Sequence, residues 1–167
     1  MSVPRFRVNA LDGALDRSGF DCGTPALDHY FHAQVTQDIK RRVATCFVAH
    51  DETGTIAGYY TLSAAGVMLT QLPASVVKKL PRYPSVPVVR MGRLAVDRRF
   101  KGLSLGAALL FDALARAARS DIGAYAMQVD AKDEAAAAFY QHHGFTPFEQ
   151  QALTLYLPLA TVRGIQT

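Results

Sequence analysis

The chain has 167 residues, of which 50% are hydrophobic and 19% charged, with a formal net charge of +4, and this composition fits one globular domain with its own core. No apolar run approaches the roughly 20 residues that span a bilayer, and the N-terminal sequence MSVPRFRVNALDGALD lacks the apolar segment of a signal peptide, so we expect a cytoplasmic protein. Cys22 and Cys46 have neither metal-ligand spacing nor a disulfide framework, and we expect two core thiols and no bound metal.

The first part of the chain predicts a strand, a helix and a hairpin. Phe6–Ala10 has strand character, and Thr24 followed by Pro25 is typical of a helix N-cap and first turn. The helix carries an apolar residue at every fourth position, and these residues would face the core: Leu27, Phe31, Val35 and Ile39. Two β-prone runs follow, RVATCFVAH and IAGYYTLSA, and the intervening Asp51–Gly54 favours a hairpin connection.

The middle of the chain predicts a short helix and then a strand. Pro73–Leu80 favours the helix, and Val88–Val96 the strand. Arg90, Gly92, Leu94 and Val96 would lie on one face of that strand. Gly92 is in mid-strand, where a glycine often marks a bulge or a close backbone approach.

The last part alternates helices and strands. A long helix opens within FKGLSLGAALL, residues 100–110, and its buried stripe consists of Leu105, Leu109, Leu110, Ala113, Leu114 and Ala117. A strand at Tyr125–Val129 precedes an alanine-rich helix that begins at Asp133 and ends at Gly144, a C′ glycine, and the strand-like run LTLYLPL comes last.

This order of elements favours antiparallel neighbours in the early meander and parallel crossovers in the later strand–helix–strand units. We therefore expect an α/β fold with a mixed sheet of six to seven strands, flanked by about four helices. No linker or repeat divides the sequence, which favours a single domain over residues 1–167.

Positive charge is concentrated in one stretch. Positions 78 to 101 contain a single acidic residue, Asp97, and eight basic ones: Lys78, Lys79, Arg82, Arg90, Arg93, Arg98, Arg99 and Lys101. Such a stretch is either a solvated basic loop with scattered strand arginines, or a binding surface for the phosphates of a nucleotide or of RNA.

The segment Gly102–Gly106, GLSLG, has two interpretations. It fits the G-x-S-x-G elbow of serine hydrolases, with Ser104 as nucleophile, but the elbow joins strand to helix directly and here the polar residues Asp97–Lys101 intervene. The same residues fit a glycine-rich turn at a helix start, where unpaired N–H groups and the helix dipole favour a phosphate. We favour the phosphate-binding turn, in which Ser104 is a small residue.

Together with a second segment, Asp133–Phe145 (DEAAAAFYQHHGF), this turn resembles the GNAT family, the Gcn5-related N-acetyltransferases. Family members carry a [Q/R]-G-x-G-x-[G/A] loop at the start of a long helix and, after a strand, a helix of the form N-x-x-A-x-x-[F/L]-Y-x-x-x-G-F. The resemblance covers roughly Val43–Leu157. Three positions depart from the pattern: Lys101 replaces Gln or Arg, Ser104 replaces Gly, and Asp133 replaces Asn.

The resemblance implies acetyl transfer from acetyl-CoA to an amine. Leu94, Ala95 and Val96 would bind the pantetheine arm through their backbone, and an N–H group there would face the thioester carbonyl. The loop would hold the pyrophosphate, with cofactor contacts at Lys101, Gly102, Leu103, Ser104, Leu105, Gly106 and Ala107. Asp133 and Phe139 of the second motif are further implied cofactor contacts.

Tyr140 matches the family's general acid, which protonates the departing CoA thiolate. A phenol with a pKa near 10 remains a donor at neutral pH, and the alternative is a packed aromatic residue beside Phe139. No general base has motif support, although several residues could be nominated: His29, His32, His142, His143 and Glu149. An amine of low pKa, positioned beside the donor, would not need a base.

Within the family, the sequence is most like the GNAT toxins of bacterial type II toxin–antitoxin modules. The segments RLAVDRRFKGLSLGAALLFDAL, FYQHHGF, LTLYLPL and TPALDHYF carry this resemblance. Such toxins acetylate the α-amino group of an aminoacyl-tRNA and so stop translation, and their partner is a ribbon-helix-helix antitoxin. The tRNA phosphates would be bound by Lys78, Lys79, Arg82, Arg90 and Arg93, and a homodimer would widen the RNA-binding groove.

Two other functions remain open, because the fold does not decide the substrate. A GNAT enzyme that acetylates a small amine, a drug or a protein N-terminus would not need Lys78, Lys79 and Arg82, which lie outside the cofactor loop. A non-catalytic CoA-binding regulator would show no turnover with any amine.

Overall fold

The computed structural model describes residues 5–162. The strands are β1 (Arg7–Ala10), β2 (Thr45–His50), β3 (Ile56–Met68), β4 (Ser85–Val96), β5 (Ala126–Asp130), β6 (Thr146–Phe148) and β7 (Gln151–Pro158). The α-helices are α1 (Pro25–His29), α2 (Val35–Lys40), α3 (Ala74–Val77), α4 (Leu105–Arg119) and α5 (Glu134–His142). A π-helical turn at Tyr30–Gln34 connects α1 to α2, and 3-10 turns occur at Leu69–Gln71, Arg98–Phe100 and Leu159–Thr161. Within residues 5–162, no helix has the length and apolar character needed to cross a membrane.

The strands form a mixed sheet in the order β1-β2-β3-β4-β5-β7-β6, which confirms the predicted fold class. β1, β2 and β3 pair antiparallel as a meander, and β4 pairs in parallel with β5 across α4, as predicted. The last strands differ from the prediction of parallel crossovers, because β7 pairs antiparallel with both β5 and β6 and lies between them. Only residues 149 and 150 separate β6 from β7, and so short a connection permits only an antiparallel return.

The described chain divides into two compact units, and β3, β4 and α4 each run from one unit into the other. The first unit comprises the residues up to Ser63 together with Gly92–Ala113, and the second comprises Ala64–Met91 together with the residues from Leu114 onwards. Each unit has a hydrophobic core of its own. The first is built around stacked and edge-on aromatic rings, Phe20, Phe31 and Tyr59, and the second contains Val88, Phe148 and Tyr156.

The predicted first helix is present but is widened by the π turn in its middle. Leu27 and Ile39 are half-buried and Phe31 and Val35 are fully buried, which confirms the predicted apolar face. In an α-helix, which has 3.6 residues per turn, residues spaced four apart do not stay on one face but shift gradually around the helix. A π turn has more residues per turn, and it therefore offsets this shift. Thr24 does occupy the N-cap position, but its side chain makes no capping hydrogen bond.

The close backbone approach expected at Gly92 of β4 falls instead on Gly58 of β3. A Cβ on Gly58 would lie 2.7 Å from Leu109 Cδ1 of α4 and 2.9 Å from the carbonyl oxygen of Ala95 in β4. A Cβ on Gly92 would meet only Thr61 Oγ1, at an ordinary 3.5 Å. The absence of a side chain at Gly58 therefore lets the first part of α4 pack directly on the sheet.

We expect Gly58→Ala to lower the free energy of unfolding by about 1–3 kcal/mol, because the Ala95 carbonyl belongs to the backbone and cannot swing aside. The melting temperature should fall by several degrees, since about 2–4 °C per kcal/mol is usual for a chain of this size. Gly92→Ala is the matched control and should melt close to wild type in the same thermal series. Equal melting temperatures for Gly58→Ala and wild type would contradict the close packing of α4 on β3.

Candidate active site

The GLSLG segment forms the turn that opens α4. Gly102 and Ser104 both have left-handed backbones, with φ of +84° and +60°. The carbonyl of Ser104 accepts the N–H of Ala108 at 3.1 Å, so Ser104 directly precedes the first helical turn. The next three N–H groups have no acceptor within the helix, and this end of a helix favours an anion. Residues 101–104 are exposed, and a Cβ on Gly102 would meet nothing within 4 Å, which leaves room for a phosphate.

Ser104 keeps the backbone expected of the glycine in the family pattern. The left-handed region costs a non-glycine residue about 1–2 kcal/mol, so the loop retains a glycine-like shape in spite of its side chain. Residues 97–104, including a 3-10 turn, separate the end of β4 from α4. Ser104 therefore does not occupy a strand-to-helix elbow, and the geometry argues against the serine-hydrolase interpretation.

Replacement of Ser104 by alanine should leave the dissociation constant for acetyl-CoA within a few-fold of wild type, because we expect backbone N–H groups, and not the serine hydroxyl, to bind the phosphate. Ser104→Gly should do the same and should also remove the backbone strain. Calorimetric titration with acetyl-CoA measures both variants. Complete loss of activity in Ser104→Ala with binding preserved would instead indicate a nucleophilic serine.

The segment before this turn is fixed by a buried carboxylate. Asp97 is 1% exposed and accepts the N–H of Asp21 at 3.0 Å and that of Arg99 at 2.9 Å. Burial alone would raise the pKa of Asp97, but the hydrogen bonds from Arg99 and Asp21 outweigh it and hold the pKa below its usual range. Asp97 thus stays ionised and ties the segment that leads into the Gly102–Gly106 turn to the segment around Asp21.

Three cations expected near the phosphates have partners within the protein. Lys101 Nζ donates to the carbonyl oxygen of Cys22 at 3.0 Å. Arg98 Nε pairs with Asp21 at 3.3 Å, and Arg99 pairs with the buried carboxylate of Asp97, which also accepts the Arg99 backbone N–H. These side chains anchor the turn, so the N–H groups of α4 are its main anion-binding feature.

The implied pantetheine strand is the C-terminal end of β4. Pairing of β4 with β5 covers Val88–Met91 and stops before Leu94. Leu94 and Val96 are half-buried and Ala95 is buried. Backbone groups in this last part of β4 can therefore bind an extended ligand as an added strand would.

Helix α5 brings the second motif together. The Asp133 carboxylate accepts the N–H of Ala136 at 2.8 Å and caps the helix, so it is engaged where the family pattern has an amide. Phe139 is half-buried and packs edge-on against Tyr140 and His143, at centroid distances of 5.3 and 4.8 Å. The Asp133 side chain thus caps the N-terminus of α5, and the Phe139 ring packs against that of Tyr140 and helps to orient it.

Tyr140 has a buried ring and an available hydroxyl group. The residue is 5% exposed, and its hydroxyl bonds to no other residue in the described chain. Every fully buried side-chain nitrogen or oxygen among residues 5–162 has a partner, so the phenol oxygen must reach the surface. Burial and, to a lesser extent, the Asp130 carboxylate raise the pKa of Tyr140 above its usual value near 10. The phenol is therefore a protonated donor with no acceptor among residues 5–162.

The predicted RNA-binding residues fall into two groups. Lys78, Lys79 and Arg82 are exposed and form no ion pair with any described residue. Arg90 forms an ion pair with Asp130, to which its Nε donates at 2.7 Å.

Arg93 belongs with Arg90 in the group that has protein partners. Its guanidinium lies 3.4 Å from the centre of the Tyr30 ring, and Tyr30 in turn donates to Asp38 at 2.8 Å. Arg90 thus pairs with a neighbouring strand, and Arg93 stacks on a ring of the π-helical turn, so both arginines have structural roles besides any contact with RNA.

The nominated general bases are dispersed. His143 is half-buried, and burial, with the neighbouring His142, lowers its pKa. The other nominated bases are exposed: His29, His32, His142 and Glu149. None of them hydrogen-bonds the Tyr140 hydroxyl.

Comparison with known proteins supports this reading of the two motifs. Residues 14–145 match the acetyltransferase (GNAT) family. A protein of Mycobacterium tuberculosis named tRNA-acetylating toxin is 34% identical over 166 residues, which cover 98% of this chain and 96% of the relative.

Solved structures of similar proteins have the same fold. AtaT complexed with acetyl-methionyl-tRNAfMet superposes with a TM-score of 0.88 at 28% identity, over 94% of this chain and 96% of that one. AtaTR bound with AcCoA gives 0.81 at 27% identity, and the AtaT-AtaR complex with bound DNA gives 0.75 at 26%, each over 93% of this chain and 95% of the other. The family match covers well over half of the sequence, and this chain belongs to the GNAT family of acetyltransferases.

Proposed function

We propose that this chain is a cytoplasmic toxin that transfers the acetyl group of acetyl-CoA to the α-amino group of an aminoacyl-tRNA and thereby blocks translation. The observation that carries the proposal is the similarity, over nearly the whole chain, to a tRNA-acetylating toxin and to AtaT with its acetylated tRNA. The exposed cations Lys78, Lys79 and Arg82 support a polyanionic substrate, since a small amine would not need them. The proposal treats residues 1–167 as one acetyltransferase domain.

The acetyl donor fits the first unit of the structure. Acetyl-CoA supplies an activated acetyl group as a thioester. The first-turn N–H groups of α4 and the open space at Gly102 suit its pyrophosphate, and the edge of Leu94–Val96 that β5 does not pair suits its pantetheine arm. The implied contacts of the loop residues are thus backbone contacts, which tolerate the side chains of Leu103 and Ser104.

The proposed chemistry needs one proton donor from the chain. As the amine nitrogen bonds to the acetyl carbon, the bond from that carbon to sulfur breaks, and Tyr140 gives its phenolic proton to the sulfur. The amine loses a proton to solvent, and the phenolate regains one from solvent. The amine of an aminoacyl ester has a lowered pKa, so a base supplied by the protein is unnecessary, in keeping with the dispersed histidines.

A protein partner is also proposed. The similarity to the AtaT-AtaR complex with bound DNA supports a ribbon-helix-helix antitoxin whose tail covers this chain and whose other half binds DNA. We expect a short reading frame for such a protein next to the gene for this chain, and the two proteins should co-purify.

Induced expression in bacteria tests the proposal. Wild type should arrest growth and translation, and Tyr140→Phe, expressed to the same level, should not. Co-expression of the antitoxin should restore growth to cells that make wild type. Growth arrest by both forms would show that toxicity does not depend on acetyl transfer, and unaffected growth with wild type would favour a small amine or a protein N-terminus as acceptor.

A further inference from the structure

Tyr83 is an exposed aromatic residue with no role in either core. Its side chain is 65% exposed, in the segment between α3 and β4. Pro81 and Pro84 flank it closely and restrict the backbone, so the ring is displayed on a stiff segment. An exposed ring on a stiff segment can contact a partner without a large loss of conformational entropy.

The exposed cations lie in the same segment because of the way α3 packs. Val76, Val77 and Leu80 pack against the core of the second unit. Lys78 and Lys79 lie between these inward residues and are exposed, as is Arg82. Tyr83 therefore directly follows a group of cations that have no ion-pair partner among the described residues.

A second apolar side chain is displayed nearby. The N–H of Leu69 donates to the carbonyl of Pro84 at 3.1 Å, which ties the end of β3 to the start of β4. Met68 is the residue before Leu69, and Tyr83 is the residue before Pro84, so this hydrogen bond keeps their backbones close together. Met68 is 56% exposed. The surface thus combines positive charge with two apolar groups.

This combination favours unpaired nucleotides over a duplex. Cations attract any phosphate backbone, but an aromatic ring gains contact only with a base whose face is free. In a duplex the base faces are stacked on one another, whereas single-stranded ends present them to aromatic side chains.

We propose that Tyr83 is a stacking platform for an unpaired nucleotide at the 3′ end of the tRNA, and that Lys78, Lys79 and Arg82 bind the adjoining phosphates. The proposal rests on the proposed function and adds a selectivity to it: this surface recognises the single-stranded end that carries the amino acid. Met68 provides a neighbouring apolar contact.

Fluorescence offers a direct test, because the chain contains no tryptophan. Tyr83→Trp places a single indole at the site, and Ile122→Trp places one at an equally exposed position outside it, since Ile122 is 80% exposed. The probes are a short single-stranded RNA with the sequence of the tRNA 3′ end and a blunt two-stranded duplex of the acceptor stem. The single strand should quench Tyr83→Trp saturably, and the duplex should not. Equal quenching by both probes, equal quenching in Ile122→Trp, or no quenching at all would overturn the proposal.

Steady-state kinetics give an independent readout. Tyr83→Ala should raise KM for aminoacyl-tRNA by about tenfold or more and leave KM for acetyl-CoA unchanged, and Tyr83→Phe should behave as wild type. An unchanged KM for tRNA in Tyr83→Ala would refute the stacking role while the proposed function stands. An effect of Tyr83→Ala on antitoxin binding alone would refute it as well, because it would assign the surface to a protein. Failure of wild type to acetylate any aminoacyl-tRNA would instead refute the proposed function.

Discussion

Tyr140→Phe is expected to lower kcat for acetyl transfer by about 10²- to 10⁴-fold, the usual contribution of a general acid. The substitution removes only the hydroxyl, which has no partner in the described chain, while the ring stays packed against Phe139 and Phe145. Affinity for acetyl-CoA and thermal stability should therefore remain close to wild type. Assays that are quenched at fixed times and measure acetylated product report on turnover, and calorimetry reports on acetyl-CoA binding, so the two together separate the chemical step from binding.

The matched control for this substitution is Tyr156→Phe. Tyr156 is 5% exposed, as is Tyr140, and its pKa is also raised by burial. Tyr156 has no assigned catalytic or binding role, so kcat should be unchanged. If both variants lose the same activity, the loss reflects a general effect of removing a tyrosine hydroxyl, and Tyr140 is not the acid. Full turnover in Tyr140→Phe would lead to the same conclusion.

Replacing Lys78, Lys79 and Arg82 together by glutamine is expected to abolish acetylation of charged tRNA at physiological salt. Each of these cations is exposed and has no ion-pair partner in the described structure, so each can neutralise one phosphate. The slope of log(kcat/KM) for tRNA against log(salt) should become shallower by about 2–3, or nearly one for each lost contact. KM for acetyl-CoA should not change, because the proposed donor site uses backbone groups of a different segment.

A second triple variant, with the same loss of positive charge at other positions, controls for nonspecific electrostatic attraction of tRNA by the whole protein. Lys40, Arg41 and Arg119 are exposed and lie in other elements, and their replacement by glutamine also removes three positive charges. This control should retain most of the activity on tRNA. An equal loss in both triple variants would indicate nonspecific attraction only, and unchanged activity after loss of Lys78, Lys79 and Arg82 would place tRNA binding elsewhere.

Local patterns predicted most of the fold. The buried stripe of α4, the hairpin at Asp51–Gly54 and the C′ position of Gly144 follow from neighbours in the sequence, and the structure confirms each of them. β6 was missed because it has three residues, too few for a period, and its hairpin with β7 reverses the direction expected for the last strand. Strand order depends on pairing energies that no single segment contains.

Side-chain partners far apart in the sequence were not predictable. Arg90 and Asp130 are 40 positions apart and meet because of the register of β4 with β5, which the sequence does not specify. Likewise, Lys101 donates to Cys22, which is 79 positions away. The motifs located the turn that opens α4 and the helix that carries Tyr140, and their roles in binding and catalysis stay predictions, whereas several cations that the sequence suggested for phosphates pair with carboxylates and carbonyls of the fold.

The most direct measurement follows the acetyl group itself. Purified protein is incubated with isotopically labelled acetyl-CoA and a set of aminoacyl-tRNAs, the ester is hydrolysed, and the released amino acid is analysed by mass spectrometry. We predict a labelled N-acetyl amino acid from at least one aminoacyl-tRNA and no label on uncharged tRNA. Label that never reaches any aminoacyl-tRNA, while small amines or protein N-termini are acetylated, would contradict the assignment of aminoacyl-tRNA as the substrate.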